Sequence, residues 1–238
     1  MFDSKPTLFL TTRWTIVGKA ARSDETEARR ALGDLFNIYW KPLYRYIRRT
    51  GKSPEDAEDL VQGFFERLVA GDGLRMADRD RGRFRAFLLT TLKNYMVSEW
   101  RRDHRQKRGG FSQHLSLDWR DAETGLSLDA SHHHSPDSLY DREWATAMLT
   151  KVLNDMERED PEFDRWKPFL SLSRESVPYA EIAGRFGIGE GAARVAVHRL
   201  RKRYRQRVRE EIAGSLTDQS MVEDEMKVLF SALTEDCS

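Results

Sequence analysis

Two runs of cations carry the densest chemistry in this sequence. Residues 194–209 hold eight Lys or Arg and no acid, and residues 79–108 hold ten against three acids. Cations packed at that density repel one another, and a polyanion relieves the repulsion. Such blocks are the footprint of a surface that binds phosphate backbones. In the earlier run Phe84, Phe87, Tyr95 and Trp100 alternate with Arg83, Arg85, Lys93, Arg101, Arg102, Arg105, Lys107 and Arg108. Aromatic rings beside cations suit single-stranded nucleic acid, because bases stack while the cations follow the backbone. Helical spacing reads Phe84, Phe87 and Tyr95 as core and leaves Trp100 open.

Other reactive residue types point to little. Glu55, Glu58, Asp59 and Glu66 could offer carboxylates to a metal, as a nuclease would need. They lie on one helix without further ligands nearby, where acids are ordinarily solvated. Consecutive His132, His133 and His134 cannot easily all face one ion and read as plain loop. Cys237 is the single cysteine, so no internal disulfide and no zinc-binding pair is expected, and the default setting is reducing and cytoplasmic. The phosphate-loop, dinucleotide and zincin motifs are absent. A binding protein is expected, with no catalytic residues, no metal and no cofactor.

Over all 238 residues, 40 Lys and Arg face 39 Asp and Glu, for a formal net charge of +1. The near-neutral total conceals segregation. Residues 118–143 hold seven acids and two bases, and residues 210–238 hold eight acids and one base. No apolar run approaches the ~18 residues of a membrane span. The start, MFDSKPTLFLTT, lacks the pattern of a secretory signal.

Helical periodicity recurs, and strand signals are almost missing. Ser53-Pro54-Glu55-Asp56 reads as an N-cap, a first-position proline and two first-turn acids. Ala57, Leu60, Val61, Phe64, Phe65 and Leu68 then form one apolar stripe. A second helix is predicted over about 83–102 from Phe84, Phe87, Leu88, Thr91, Leu92, Tyr95 and Met96. Upstream, Ala28, Ala31, Leu32, Leu35, Phe36, Tyr39, Leu43 and Ile47 predict another, which Pro42 should kink or split. A short element around Trp14, Val17 and Ala21 is expected before it. Periodicity vanishes from about 109 to 136. Helices resume over roughly 138–159, 163–174, 179–186, 190–212 and 222–233. The fold class is all-α: two helical domains joined by a flexible linker.

The most specific local pattern is Tyr179–Tyr204. Ile182, Ala183 and Phe186 share one face of a first helix, Gly187 supplies the positive φ that ends it, and Ile188 plugs the corner. Ala193, Val197, Leu200 and Tyr204 give a second helix its inner face. This spacing fits a helix-turn-helix. Rotation then places Arg194, His198, Arg199, Arg201 and Lys202 outward. The N-terminal half of such a helix meets base edges, so Arg194 and His198 are base-reading candidates and Arg199, Arg201 and Lys202 phosphate contacts.

Taken in order, three blocks resemble a bacterial RNA polymerase sigma factor of the extracytoplasmic-function type, within the sigma-70 family. Ser53 to Gln62 resembles the core-polymerase-binding helix. Phe84-x-x-Phe87-Leu88 with Leu92-x-Asn94 resembles the melting and −10-reading segment, with Phe87 where many members have Trp. Tyr179 to Arg199 resembles the −35-reading helix-turn-helix, departing from the common pattern at Gly189, Ala193 and Val195. The resemblance implies five segments: an N-terminal piece at 1–26, a region 2-like domain at 27–108, an acidic linker at 109–137, a region 4-like domain at 138–213 and an acidic extension at 214–238. It implies that Glu58, Asp59 and Gln62 face the polymerase. Asn94, Trp100, Arg101, Arg102 and Arg105 would meet the opened −10 element, and Arg194, His198, Arg199, Arg201 and Lys202 the duplex −35 element. The partners would be core RNA polymerase and promoter DNA, with an anti-sigma factor left open and no membrane. A helix-turn-helix repressor binding duplex DNA alone is the rival reading, and it leaves the acidic helix and the Phe84–Asn94 block unexplained. The segment Val222–Leu233 is expected to pack on the second module and partly screen its DNA face.

Overall fold

The computed structural model describes residues 25–70, 83–103, 118–124, 126, 135–173, 175–216 and 218–234. Its helices are α1 (Glu25–Arg49), α2 (Pro54–Ala70), α3 (Phe84–Asp103), α4 (Trp119–Glu123), α5 (Pro136–Glu159), α6 (Phe163–Trp166), α7 (Tyr179–Phe186), α8 (Glu190–Gly214) and α9 (Val222–Thr234). Short 3-10 turns follow α6 at Lys167–Phe169 and precede α9 at Gln219–Met221. The protein is all-α: the described residues contain no strand beyond an isolated bridge between Arg83 and Leu216. None of the described helices is long and apolar enough to cross a membrane. The element around Trp14, the His132–His134 run, Arg105 and Cys237 fall outside the described residues. The chain divides into two compact units, residues 1–147 with 212–238, and residues 148–211.

In the first unit α1 packs on α2, α3 and α4, and α2 packs on α3. Pro42 does not split α1, which runs unbroken through it. Ile38, Tyr39, Trp40, Leu43, Tyr44, Tyr46 and Ile47 are all buried on either side of the proline. A helix covered nearly all round is held by packing, so one missing hydrogen bond does not break it. Ala57, Val61, Phe64, Phe65 and Leu68 of α2 and Phe84, Leu88 and Leu92 of α3 complete the core. Phe36 meets Phe65 at 4.3 Å between ring centroids, and Tyr39 meets Phe84 edge-on at 5.3 Å.

Part of the span read as linker is built into this unit. Asp118 caps α4 by accepting from the Asp121 amide. Trp119 sits against Trp40 and Tyr44, with centroids 5.4 and 5.3 Å away. Asp121 pairs with Lys41 at 2.7 Å, and Glu123 with Arg48 at 2.6 Å. Arg45 donates to the Ala122 and Thr124 carbonyls. Further on, Glu143 of α5 pairs with Arg45 and Arg49.

The C-terminal helix also differs from expectation. Instead of packing on the second module, α9 falls in the first unit. The reason is electrostatic as well as apolar. Glu225 is only 1% exposed and lies 2.6 Å from Arg85 and 2.8 Å from Arg83, while Asp141 pairs with Arg85 from another side. The Arg85 guanidinium lies 5.0 Å above the Trp144 ring. Val222, Met226 and Leu229 of α9 are buried. Burial raises the Asp141 carboxyl above its usual range, although the Arg85 charge pulls it down.

In the second unit, α7 and α8 are joined by Gly187, Ile188 and Gly189. Gly187 adopts φ 63°, the left-handed cap that L side chains rarely take, and its amide donates to the Ala183 carbonyl. Phe169, Val177, Ile182, Ala193 and Val197 form one buried cluster, with Trp166, Leu172, Tyr179, Phe186 and Ile188 packed against it. Trp166 stacks on Phe186 at 4.2 Å. The predicted inner faces of the two helices meet here, and α8 begins at Glu190 as its spacing implies. Leu200 and Tyr204 are half-buried.

Candidate nucleic-acid interface

The first surface is a strip of α3. Its core face is held by Phe84, Leu88 and Leu92, all buried. The opposite face must therefore look outward, and Ala86, Thr90, Asn94, Val97, Trp100 and Arg101 are exposed along it. Trp100 is 56% exposed and Val97 is 48% exposed. Sequence reasoning left Trp100 open and passed over Val97, although its place off the apolar stripe was a usable signal. Beside them, Arg102 is exposed and pairs with Glu99 at 2.5 Å. An exposed amide, an indole and guanidinium groups on two helical turns can hydrogen-bond a base edge, stack a base and meet phosphates.

The three aromatics read as core have that place. Phe84 is buried, Phe87 is half-buried at 6.1 Å from it, and Tyr95 lies 5.9 Å from Phe64. Burial pushes the Tyr95 hydroxyl up to about 12. Its ring lies against Gly63, where an added Cβ would collide with the hydroxyl and lie 3.5 Å from Cζ. Glycine here lets α2 and α3 approach closely.

Not every cation of the earlier run faces outward. Arg83 and Arg85 are engaged with Glu225, and Lys93 lies 2.6 Å from Asp137. The hydrogen bond to Asp137 raises the Lys93 ammonium above its ordinary value despite partial burial.

On α2, Ser53 caps the helix by accepting from the Asp56 amide at 3.0 Å. Asp59 is exposed, and the half-exposed Glu58 lines a shallow hollow with Trp119, Arg120, Glu123 and Thr124. Gln62 is a correction. The resemblance implies that it faces the polymerase, yet it is only 2% exposed. Because α2 packs against both α1 and α3, its covered arc is wider than a single stripe. A polymerase-facing role for the Gln62 side chain has no surface to act from in this structure.

The second surface is the outer side of α8. Arg194, Val195, His198, Arg199 and Lys202 are exposed there, and Val195 is 48% exposed. Arg194 lies 4.3 Å above the Tyr179 ring and 3.9 Å from Glu190. Among the described residues no ion pair engages His198, Arg199 or Lys202. Arg201 is the second correction. Its guanidinium turns inward and donates to the Phe169 carbonyl at 2.9 Å and the Leu172 carbonyl at 2.5 Å. Those carbonyls end a 3-10 turn and a bend, where helical partners are missing, so an arginine within reach satisfies them. Counting rotation along α8 could not foresee that sink.

Together the exposed faces offer nucleic acid an aromatic, amide and cation strip on α3 and a cationic strip on α8. No group of three or more His, Cys, Asp or Glu suited to a metal occurs among the described residues. Neither the curated proteins nor the solved structures contain a match to the chain. Residues 35–106, which include α2, α3 and most of α1, match Sigma-70 region 2. That likeness supports a sigma factor of the sigma-70 family, with a role in promoter recognition by RNA polymerase.

Proposed function

We propose that this protein is an extracytoplasmic-function type sigma factor that directs core RNA polymerase to promoters and opens them, with no catalysis of its own. The observation that carries the reading is the exposed row Asn94, Val97, Trp100 and Arg101, lying within the span that resembles Sigma-70 region 2. On this reading Glu58 and Asp59 present α2 to the polymerase. Asn94 reads the edge of a −10 base drawn from the stack, and Trp100 supplies a ring for stacking. Extracting a base costs a few kcal/mol, and stacking on an aromatic side chain returns about 1–3 kcal/mol. Arg101 and Arg102 follow the opened strand, as does Arg105.

The pair α7–α8 is the helix-turn-helix of a region 4-like domain on the same reading. Its second helix enters the major groove of the −35 element, with Arg194 and His198 toward base edges and Arg199 and Lys202 toward phosphates. Arg201 acts here as an internal brace.

The test is co-purification of the full chain with core RNA polymerase, followed by transcription from promoter templates. Association and promoter-dependent transcripts are expected. Sequence-specific binding to duplex DNA without any association with core enzyme would overturn the reading. Within it, Asp59→Arg should weaken association with the polymerase. Arg194→Ala should cost about 1–3 kcal/mol on the cognate −35 duplex and less on scrambled duplex, if the contact is to a base.

A further inference from the structure

We propose that Val195 is a specificity-determining residue that packs on the C5-methyl group of a thymine in the major groove of promoter DNA. The inference rests on the reading of α7–α8 as a helix-turn-helix and deepens it by naming a chemical group that is recognised.

Val195 is one of few large apolar side chains left exposed among the described residues. It does not belong to the inner face of α8, which is carried by Ala193 and Val197 in the buried cluster. Its neighbours on the outer face are Arg194, one residue earlier, and His198, Arg199 and Lys202, which follow at i+3, i+4 and i+7. All four are exposed. A β-branched residue in the middle of a cationic helix face gains nothing from water and adds no helix propensity. Surrounded by basic side chains, of which Arg199 and Lys202 have no ion pair among the described residues, it faces a polyanion by charge complementarity, which excludes an apolar protein groove as its natural cover. Among the groups that a duplex shows in its major groove, the thymine methyl is the apolar one.

The position within the helix agrees. Val195 is in the second turn of α8, counted from Glu190, the part of such a helix that reaches base edges. Next to it Arg194 is already oriented, stacked over Tyr179 and near Glu190. A stacked, pre-set guanidinium loses less freedom on binding and suits a bidentate contact to guanine. The pair Arg194–Val195 therefore prefers a site in which guanine and thymine are close in the groove.

The experiment uses the full chain assembled with core RNA polymerase. Bound sites are first selected from a randomised duplex library. Each thymine of the recovered upstream element is then replaced singly by deoxyuridine, which lacks only the C5-methyl. At one thymine the replacement should weaken binding by the wild-type chain by roughly fourfold, the value of one buried methyl-sized group. Val195→Ala should bind the thymine and deoxyuridine duplexes equally at that position. The variant keeps its fold, since alanine is the better helix former at an exposed site, and unchanged helical content checks this. Two results would overturn the assignment alone: an enriched site in which no deoxyuridine replacement matters, or a penalty that persists unchanged in Val195→Ala. If no upstream element is enriched although the complex forms, the helix-turn-helix reading fails and the assignment falls with it.

Discussion

In α3 and at the residue just before it, three cations of a conspicuous basic run lie against carboxylates from distant segments: Arg83 and Arg85 against Glu225, Arg85 also against Asp141, and Lys93 against Asp137. In α8 the ion pairs lie at or near the surface. Arg194 is loosely paired with Glu190 on its own helix, and Arg203 and Arg207 meet Glu159. His198, Arg199, Lys202 and Arg205 have no ion pair among the described residues and are exposed. Two runs of similar charge thus have different uses. The beginning of α3 holds a domain together, and its end keeps the amide, indole and guanidinium groups outward. The outer face of α8 keeps its charge available along several turns. Charge density marks a surface for nucleic acid only after the cations engaged inside the protein have been subtracted.

This contrast can be broken most sharply at Glu225. Glu225→Ala leaves the buried Arg85 with Asp141 alone to balance it, which should cost unfolding free energy toward the lower end of about 3–5 kcal/mol in denaturant titrations. Glu190→Ala, at the exposed pair on α8, should change stability by no more than about 0.5 kcal/mol. Equal effects would mean that the two helices use their charge alike. Next in size is Gly63→Ala, which drives a methyl into the Tyr95 hydroxyl and should cost about 1–3 kcal/mol by overpacking. Removing that hydroxyl should restore the loss, so the double variant Gly63→Ala with Tyr95→Phe should unfold closer to wild type than Gly63→Ala alone.

Arg201 and Lys202 are adjacent in sequence and opposite in role. Arg201→Ala strands the Phe169 and Leu172 carbonyls and should lower stability by about 1–2 kcal/mol. Lys202→Ala should leave the unfolding curve in place while reducing the salt dependence of DNA binding by about one unit of slope. If Arg201→Ala instead reduces that slope with stability intact, its side chain turns outward in solution.

The smallest effect concerns α4. The hydrogen bond from Arg48 holds the Glu123 carboxyl below the usual carboxylate range, and the hydrogen bond from Lys41 does the same for Asp121. A depressed folded value means that the ionised acids stabilise the docked segment. That contribution is present above the ordinary carboxylate range near pH 4. It is lost as pH falls through the depressed values. Hydrogen exchange of the Trp119–Glu123 amides should therefore quicken relative to α2 on acidification, and Glu123→Gln should reduce that difference.

Local patterns in the chain were enough for most helices. The stripe Ala57 to Leu68, the cap Ser53, the turn at Gly187 and the start of α8 at Glu190 all depend on neighbours within a few residues, and the period of an apolar stripe carries that information. The outward positions of Arg194, His198, Arg199 and Lys202 followed from the same periodicity. What escaped it depends on contacts between residues far apart. Pro42 sits inside an unbroken helix because packing on both sides outweighs one lost bond. Gln62 is covered because α2 has two neighbours, and Arg201 turns inward because carbonyls some thirty residues away need donors. The acids of the supposed linker and tail are placed by Lys41, Arg48 and Arg85, not by their own neighbours. Helical propensity is local and is written in the order of residues. Burial and the choice of ionic partner depend on which distant segments meet, and only the folded chain settles that.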